Sequence, residues 1–150
     1  MGPSAILFAC TMNAVRSPMA AALMRHLAAD GLAGRGLYIE SAGVRAGDLD
    51  PLAVEAMGEI GLAIGAHKPR RFEELEDGFF DLVITLSPEA QHKAVEMTRS
   101  AATEVEYWPI MDPTAVEGSR EQRLSAYRAV RDQLLERLKL RFSAPGGPKA

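Results

Sequence analysis

The 150 residues have the composition of one ordinary globular domain, with 47% hydrophobic and 25% charged residues. A net charge of −3 argues against binding of nucleic acid or an anionic membrane through bulk charge, and no apolar run is long enough to span a bilayer. Cys10 is the only cysteine and the N-terminus lacks the basic region of a signal peptide, so we expect a reduced protein in the cytoplasm.

Short apolar segments alternate along the chain with segments of helical periodicity. We predict β-strands at residues 5–9, 37–40, 80–86 and 103–107, the first of which is a short, continuous apolar run. The helical patterns predict helices at 18–27, 51–60, 88–98 and 121–140, the first with Ser17 as its N-cap and Pro18 at its first position. Residues 41–43 predict a turn after the second strand, and residues 112–118 predict a loop.

This alternation of strands and helices predicts an α/β fold, a doubly wound sheet of four parallel strands with helices on both faces. We expect one domain over residues 1–142, followed at 143–150 by a Pro- and Gly-rich tail that is disordered. In such sheets ligands bind outside the carboxyl ends of the strands. The segment after the first predicted strand therefore becomes the first place to look for a site.

That segment, residues 10–17, is here called the Cys10 loop. A short loop between a strand and a helix start turns successive backbone N–H groups toward one point, and the helix dipole adds positive potential there. A thiol in this field is expected to ionise readily to the nucleophilic thiolate. Arg16 adds a planar fork that can grip two oxygens of a phosphate. Nucleophile, anion cradle and clamp in one segment predict phosphoryl transfer through Cys10.

The pattern C-x5-R-S, from Cys10 through Arg16 to Ser17, together with the late pair Asp112–Pro113, resembles the low-molecular-weight protein tyrosine phosphatases. Arsenate reductases share the fold of that family. The resemblance covers nearly the whole chain, from about residue 6 to about residue 140. It implies a phosphatase that works through a cysteinyl-phosphate, without metal or cofactor.

The resemblance also implies roles for individual residues. Cys10 is the nucleophile, Arg16 the phosphate clamp and Asp112 the general acid. Ser17 is positioned to donate toward the Cys10 sulfur. The substrate phosphate is bound by the loop residues Thr11, Met12, Asn13, Ala14, Val15 and Ser17.

A supporting network follows from the same family. Asn13 matches a loop asparagine that can hold a left-handed backbone conformation. Ser41 and His67 match its hydrogen-bond partners, which hold the loop open for oxyanions. His67 is equally consistent with an ordinary half-buried histidine, and Asp50–Pro51 is expected only to initiate a turn.

Three features depart from the family pattern. Met12 stands where a glycine is common, and Val15 stands where a second cysteine is common. Thr114 and Ala115 follow Asp112–Pro113, where relatives often carry aromatic residues that line the phosphotyrosine slot. An aromatic wall must then come from elsewhere or be missing, and Trp108 is the candidate to test. Tyr38, Tyr107 and Tyr127 are candidates only by residue type, and most of these aromatic residues are better explained as core residues.

The function predicted is hydrolysis of phosphate monoesters, either a phosphorylated protein, with phosphotyrosine foremost, or a small phosphate ester. Arsenate reduction is the first alternative, but the chain has no second cysteine, so an external thiol would be required. A non-catalytic phosphate-binding module is the second alternative. Binding alone requires neither the Cys10 nucleophile nor the Asp112 acid.

Overall fold

The computed structural model describes residues 2–31, 36–75, 79–98 and 102–143. Within these residues, strands and α-helices alternate in the order β1 (Ala5–Cys10), α1 (Arg16–Ala29), β2 (Tyr38–Gly43), α2 (Pro51–Gly58), β3 (Leu82–Thr85), α3 (Pro88–Met97), β4 (Glu104–Tyr107) and α4 (Arg120–Phe142). Short 3-10 segments lie at Phe72–Leu75 and Pro113–Ala115. None of the described helices is both long and apolar enough to cross a membrane. Residues 144–150 of the predicted tail lie outside the described residues.

The four strands are parallel and form one sheet in the order β2-β1-β3-β4. β1 pairs with β2 on one side and with β3 on the other, so the direction of winding reverses at β1. Cys10 lies at the carboxyl end of β1, opposite Gly43 of β2, at this switch in strand order. The predicted doubly wound sheet is confirmed. The Cys10 loop lies at the edge where such sheets bind ligands.

β1 is buried along its whole length, and its alternate side chains face two different cores. Ile6, Phe8 and Cys10 pack into the larger core with side chains of α1, α2 and α4. Leu7 and Ala9 pack on the opposite face with side chains of α3. Burial on both faces explains why this strand is a continuous apolar run rather than an alternating one.

Residues 41–43, predicted as a turn, instead extend β2 to Gly43. Ser41 lies opposite Phe8 and Gly43 opposite Cys10, so pairing with β1 continues to the edge of the site. The Gly43 N–H donates to the carbonyl of Arg70 at 2.9 Å. The prediction was wrong because small residues were attributed to a change of direction. Here they allow the Cys10 loop to approach β2 closely.

Two helix starts differ from the prediction: α4 begins at Arg120, one residue early, and α1 begins two residues early. α1 begins at Arg16 with Val15 as its N-cap, so Ser17 is not the cap and Pro18 is not the first helical residue. The Ser17 hydroxyl is directed at Cys10 instead. The predicted starts of α2 at residue 51 and of α3 at residue 88 are confirmed, and the side chains of Asp50 and Ser87 cap them.

Candidate active site

The Cys10 loop is held from outside by the segment that follows β2, residues 44–50, here called the strap. The strap donates four backbone hydrogen bonds to carbonyls of the loop. The pairs are Val44 to Cys10 (3.1 Å), Arg45 to Thr11 (2.8 Å), Gly47 to Met12 (2.9 Å) and Asp50 to Ala14 (3.2 Å). Two further carbonyls of the turn also have partners. The Asn13 carbonyl lies 3.3 Å from His67 Nε2, and the Val15 carbonyl accepts from the Met19 N–H.

These bonds determine where the loop N–H groups point. A trans peptide directs its C=O and its N–H to opposite sides, so each carbonyl that faces the strap aims the following N–H away from it. The N–H groups of residues 11–15 have no acceptor in the part of the chain that the structure describes. Several convergent, unpaired backbone donors form a nest with positive potential. The strap therefore builds an anion-binding site from the backbone of the Cys10 loop.

Asn13 holds the shape of this nest. It is fully buried and has a φ of +53°, a left-handed conformation that asparagine tolerates better than most residues. Its amide nitrogen donates to the hydroxyls of Ser17 and Ser41, both at 2.9 Å. Its Oδ1 accepts from the backbone N–H of Arg70 at 2.9 Å and lies 3.0 Å from His67 Nε2.

The structure thus brings the predicted network of Asn13, Ser41 and His67 together. Both atoms that His67 Nε2 approaches, Oδ1 and the carbonyl of Asn13, are acceptors, so this nitrogen carries the hydrogen. Burial lowers the pKa of His67, which favours the neutral ring in this position. The contribution of Arg70 was not predictable, because a backbone N–H leaves no sign in the residue type.

The Cys10 sulfur is almost covered, with 2% of the residue exposed. Its Sγ is 3.0 Å from the Ser17 hydroxyl and 3.4 Å from the Ser17 N–H. A thiolate can only accept hydrogen bonds, so in that form both Ser17 groups donate to it. This geometry suits a sulfur that carries negative charge before attack and again when it leaves.

Arg16 and Asp112 face each other across the entrance to the nest. Arg16 is buried, and its Nη1 donates to the carbonyl of Ile110 at 2.9 Å, beyond the end of β4. Its Nη2 lies 3.8 Å from Asp112 Oδ2. The other oxygen of Asp112 accepts from the N–H and the hydroxyl of Thr114, at 3.0 and 2.7 Å. Asp112 is thereby oriented with Oδ2 toward the clamp.

A cleft of about 430 Å³ opens above Cys10. The loop forms its floor, residues 47–51 form one wall, and Asp112, Thr114 and Arg123 contribute to the other. Within the described residues, the lining includes three carboxylates and no aromatic side chain: the carboxylates are Asp48, Asp50 and Asp112. Met12, Ala14 and Val15 also line the cleft.

The other predicted binding residues face away from the cleft. The Thr11 hydroxyl donates to Ser87, at the start of α3, and the side chains of Asn13 and Ser17 lie behind the nest. Any contact that these three make with a phosphate is therefore made by backbone N–H groups.

Trp108, the expected aromatic wall, does not line the cleft. It is 3% exposed, its ring lies under the Arg137 guanidinium, and its indole N–H donates to Glu106. The prediction rested on the nearness of Trp108 to Asp112 in sequence, but the side chain of Trp108 packs into the core.

Asp50, in contrast, was expected only to start a turn and is part of the cleft wall. Its spacing from Cys10 gave no signal of this.

Gly43 offers a direct test of how closely the loop and β2 approach. A Cβ at this position would lie 2.7 Å from the Asn13 nitrogen and 2.5 Å from the Arg45 carbonyl oxygen. Both are backbone atoms that cannot rotate away. Gly43→Ala should therefore cost about 3 kcal/mol or more in the free energy of unfolding and should weaken phosphate binding.

Urea denaturation and phosphate titration of the variant would measure both effects. Gly58→Ala is the matched control, because a Cβ there meets nothing within 4 Å and Gly58 lies in α2. That control should be neutral or slightly stabilising. An unaltered unfolding curve for Gly43→Ala would contradict the close approach.

Comparison with known proteins agrees with the fold. A family model described as low molecular weight phosphotyrosine protein phosphatase matches residues 5–143. An arsenate reductase of Bacillus licheniformis is 35% identical over 147 residues, which cover 97% of this chain and 99% of the relative.

Two solved structures of phosphatases are also similar to this chain. A variant of the YwlE arginine phosphatase with a phosphorylated active-site serine is 30% identical with a TM-score of 0.71, over 90% of this chain and 91% of that chain. A low molecular weight protein tyrosine phosphatase from Bacillus subtilis is 31% identical with a TM-score of 0.68, over 90% of this chain and 92% of that one. Fold, nest and comparisons define the class as cysteine-dependent phosphatases. The chain belongs to the low molecular weight phosphotyrosine protein phosphatase family and is a phosphatase.

Proposed function

We propose that this protein hydrolyses phosphate monoesters of phosphorylated proteins, with phosphotyrosine foremost, through a cysteinyl-phosphate on Cys10. The observation that carries the proposal is that Cys10 lines the same cleft as a nest of unpaired N–H groups, with Arg16 and Asp112 at its entrance. A relative with a phosphorylated serine at its active site supports transfer of the phosphoryl group to the protein.

The first step transfers the phosphoryl group to sulfur. The Cys10 thiolate attacks phosphorus in line, the S–P bond forms and the bond to the ester oxygen breaks. The N–H groups of the nest and the Arg16 fork hold the phosphoryl oxygens while charge redistributes. Asp112, in its protonated form, gives its proton to the departing oxygen.

The second step returns the enzyme to its starting state. Asp112, now a carboxylate, takes a proton from a water molecule whose oxygen attacks phosphorus. The S–P bond breaks, inorganic phosphate leaves, and the two donors on Ser17 receive the sulfur as a thiolate. No other reactant is required.

Phosphoarginine is a second substrate candidate. No aromatic side chain lines the described part of the cleft, and its Asp48 carboxylate makes no hydrogen bond with the described residues. A carboxylate recognises a guanidinium through paired, charge-assisted hydrogen bonds. A YwlE arginine phosphatase is 30% identical to this chain. The same two steps would break a P–N bond instead of a P–O bond.

Arsenate reduction is the remaining alternative, since curated relatives carry that name. Arsenate fits a phosphate nest, but its reduction to arsenite takes two electrons, which thiols supply in pairs. Cys10 is the only thiol of this chain, so a small external thiol would have to supply the second sulfur.

One panel of assays separates these candidates. It compares a phosphotyrosine peptide, a phosphoarginine peptide, an alkyl phosphate and, with added glutathione, arsenate. Release of phosphate from the phosphotyrosine peptide with the highest kcat/KM supports the main proposal. A higher kcat/KM for the phosphoarginine peptide would instead support phosphoarginine as the substrate. Arsenite formation without phosphatase activity would overturn both.

Arg16→Lys should reduce kcat/KM on the order of 10²-fold or more. Lysine keeps the positive charge but cannot hold two phosphoryl oxygens with one planar group, and the loss resembles removal of an oxyanion donor. The substitution also removes the hydrogen bond from the Arg16 guanidinium to the Ile110 carbonyl, which holds the clamp in place. Steady-state kinetics with an aryl phosphate would measure the effect. Near-normal kinetics would show that Arg16 only supports the structure.

Peroxide should inactivate the enzyme without forming an intrachain disulfide. Cys10 lines the cleft, and Val15 replaces the neighbouring cysteine that could capture its sulfenic acid. Early inactivation should be reversed by an external thiol, and prolonged exposure should give irreversible sulfinic acid. Bound phosphate should protect the sulfur. Mass spectrometry of Cys10 checks this, and an unmodified Cys10 in inactivated enzyme would refute it.

Sensitivity of Cys10 to oxidation suits a reducing compartment such as the cytoplasm, which we infer to be the location.

A further inference from the structure

The last residue of the strap, Asp50, joins three parts of the molecule. Its backbone N–H donates to the carbonyl of Ala14 in the Cys10 loop at 3.2 Å. Its Oδ1 accepts from the N–H of Leu52 at 2.8 Å and so caps α2. Its Oδ2 accepts from the hydroxyl of Tyr127 in α4 at 2.5 Å. Both carboxylate oxygens are therefore held by other groups, although Asp50 lies in the wall of the cleft.

The bond from Asp50 to Ala14 acts on one particular donor of the nest. Holding the Ala14 carbonyl toward the strap turns the N–H of Val15 toward the cleft, because the two groups belong to one planar peptide. Val15 also precedes α1 directly, so this N–H lies where the helix dipole adds to the attraction for an anion. The orientation of Asp50 thus determines how well Val15 can bind a phosphoryl oxygen.

Tyr127 fixes that orientation from behind. The residue is 2% exposed and packs in the large core, so its ring has little freedom to move. Burial, and then the hydrogen bond to Asp50, raise the pKa of Tyr127 well above its ordinary value. Its hydroxyl is therefore a permanent donor to Asp50 in the pH range where a phosphatase works.

We propose that Asp50 and Tyr127 form a positioning pair that sets the phosphate affinity of the Cys10 loop by fixing the Ala14–Val15 peptide. The inference rests on the proposed function, since it concerns the affinity of the same nest for phosphate. Neither side chain touches the reacting atoms. The carboxylate of Asp50, which would repel a phosphate if it were free, is turned to the Tyr127 hydroxyl and the cap of α2.

Tyr127→Phe tests the pair by removing one oxygen and leaving the ring in the core. Inorganic phosphate is the probe, and its inhibition constant against an aryl phosphate should rise about five- to tenfold, with a similar fall in kcat/KM. Tyr107→Phe is the matched control, because it removes the same atom from a half-exposed tyrosine in β4, away from the cleft. It should leave the inhibition constant unchanged.

Asp50→Ser separates the two roles of the carboxylate. Serine still caps α2 but is too short to reach Tyr127. It should therefore weaken phosphate binding about as much as Tyr127→Phe, and the double variant should add little to either single change. A full additive loss in the double variant would overturn the pair.

A readout on individual amides distinguishes positioning from general loosening. In amide NMR spectra, phosphate should shift the Val15 N–H less in Tyr127→Phe than in the wild type. The Thr11 N–H, whose peptide is held by Val44, should respond as before. If Tyr127→Phe lowers only the thermal unfolding temperature and leaves the phosphate inhibition constant unchanged, the proposal is overturned. If the wild-type chain neither binds phosphate nor hydrolyses aryl phosphates, the proposed function itself fails.

Discussion

Cys10→Ser should abolish turnover, on the order of 10⁴-fold or more in kcat, and leave phosphate binding within a few-fold of the wild type. A hydroxyl is hardly ionised near neutral pH, so the variant lacks the anionic nucleophile that starts the reaction. The bonds that aim the loop N–H groups come from the strap and His67, and none of them involves the sulfur. The nest therefore keeps its shape.

Turnover of an aryl phosphate and calorimetric titration with phosphate would test the two halves of this expectation separately. Mass spectrometry adds a third readout, because a serine at position 10 that slowly accepts the phosphoryl group would be trapped as phosphoserine. Ser17→Ala is an informative companion. It removes a hydroxyl 3.0 Å from the sulfur and should lower kcat while leaving Cys10 able to react. Substantial hydrolysis by Cys10→Ser would remove Cys10 from the mechanism.

The sheet was predictable because its evidence is local. β1 and β3 are short, mainly apolar runs, and each strand is followed by a segment with helical spacing. Together these patterns leave few alternatives to a parallel α/β sheet. The error at residues 41–43 shows where local evidence fails. Ser41 and Gly43 are small because Asn13 and the loop backbone lie against them, a long-range contact that resembles a turn signal in the sequence.

The reacting groups of the site could be predicted from their side chains, whereas the strap, which acts through its backbone, could not. Cys10 and Arg16 lie six residues apart on one loop, and their side-chain types carry the chemistry. The strap acts through backbone N–H groups, which every residue except proline possesses, so its residue types give no indication of its role. Asp50 does carry a distinctive side chain, but its partner Tyr127 lies in a helix far along the chain.

Asp112→Asn should slow substrates with basic leaving groups about 10²–10⁴-fold and activated aryl phosphates much less. An alkoxide must be protonated as it departs, whereas a nitrophenolate leaves readily as an anion. Asparagine can keep its oxygen on the Thr114 N–H and hydroxyl, so the loop retains its shape. The amide now facing Arg16 cannot release a proton on the time scale of the reaction.

The measurement is a plot of kcat/KM against leaving-group basicity for a series of aryl and alkyl phosphates. Its slope should be shallow for the wild type and steep for Asp112→Asn. Thr114→Val is the matched control, because it removes one of the bonds that orient Asp112 but leaves the carboxyl group in place. It should lower all rates by a similar factor and keep the shallow slope. Parallel plots for Asp112→Asn and the wild type would mean that Asp112 shapes the entrance of the cleft and donates no proton.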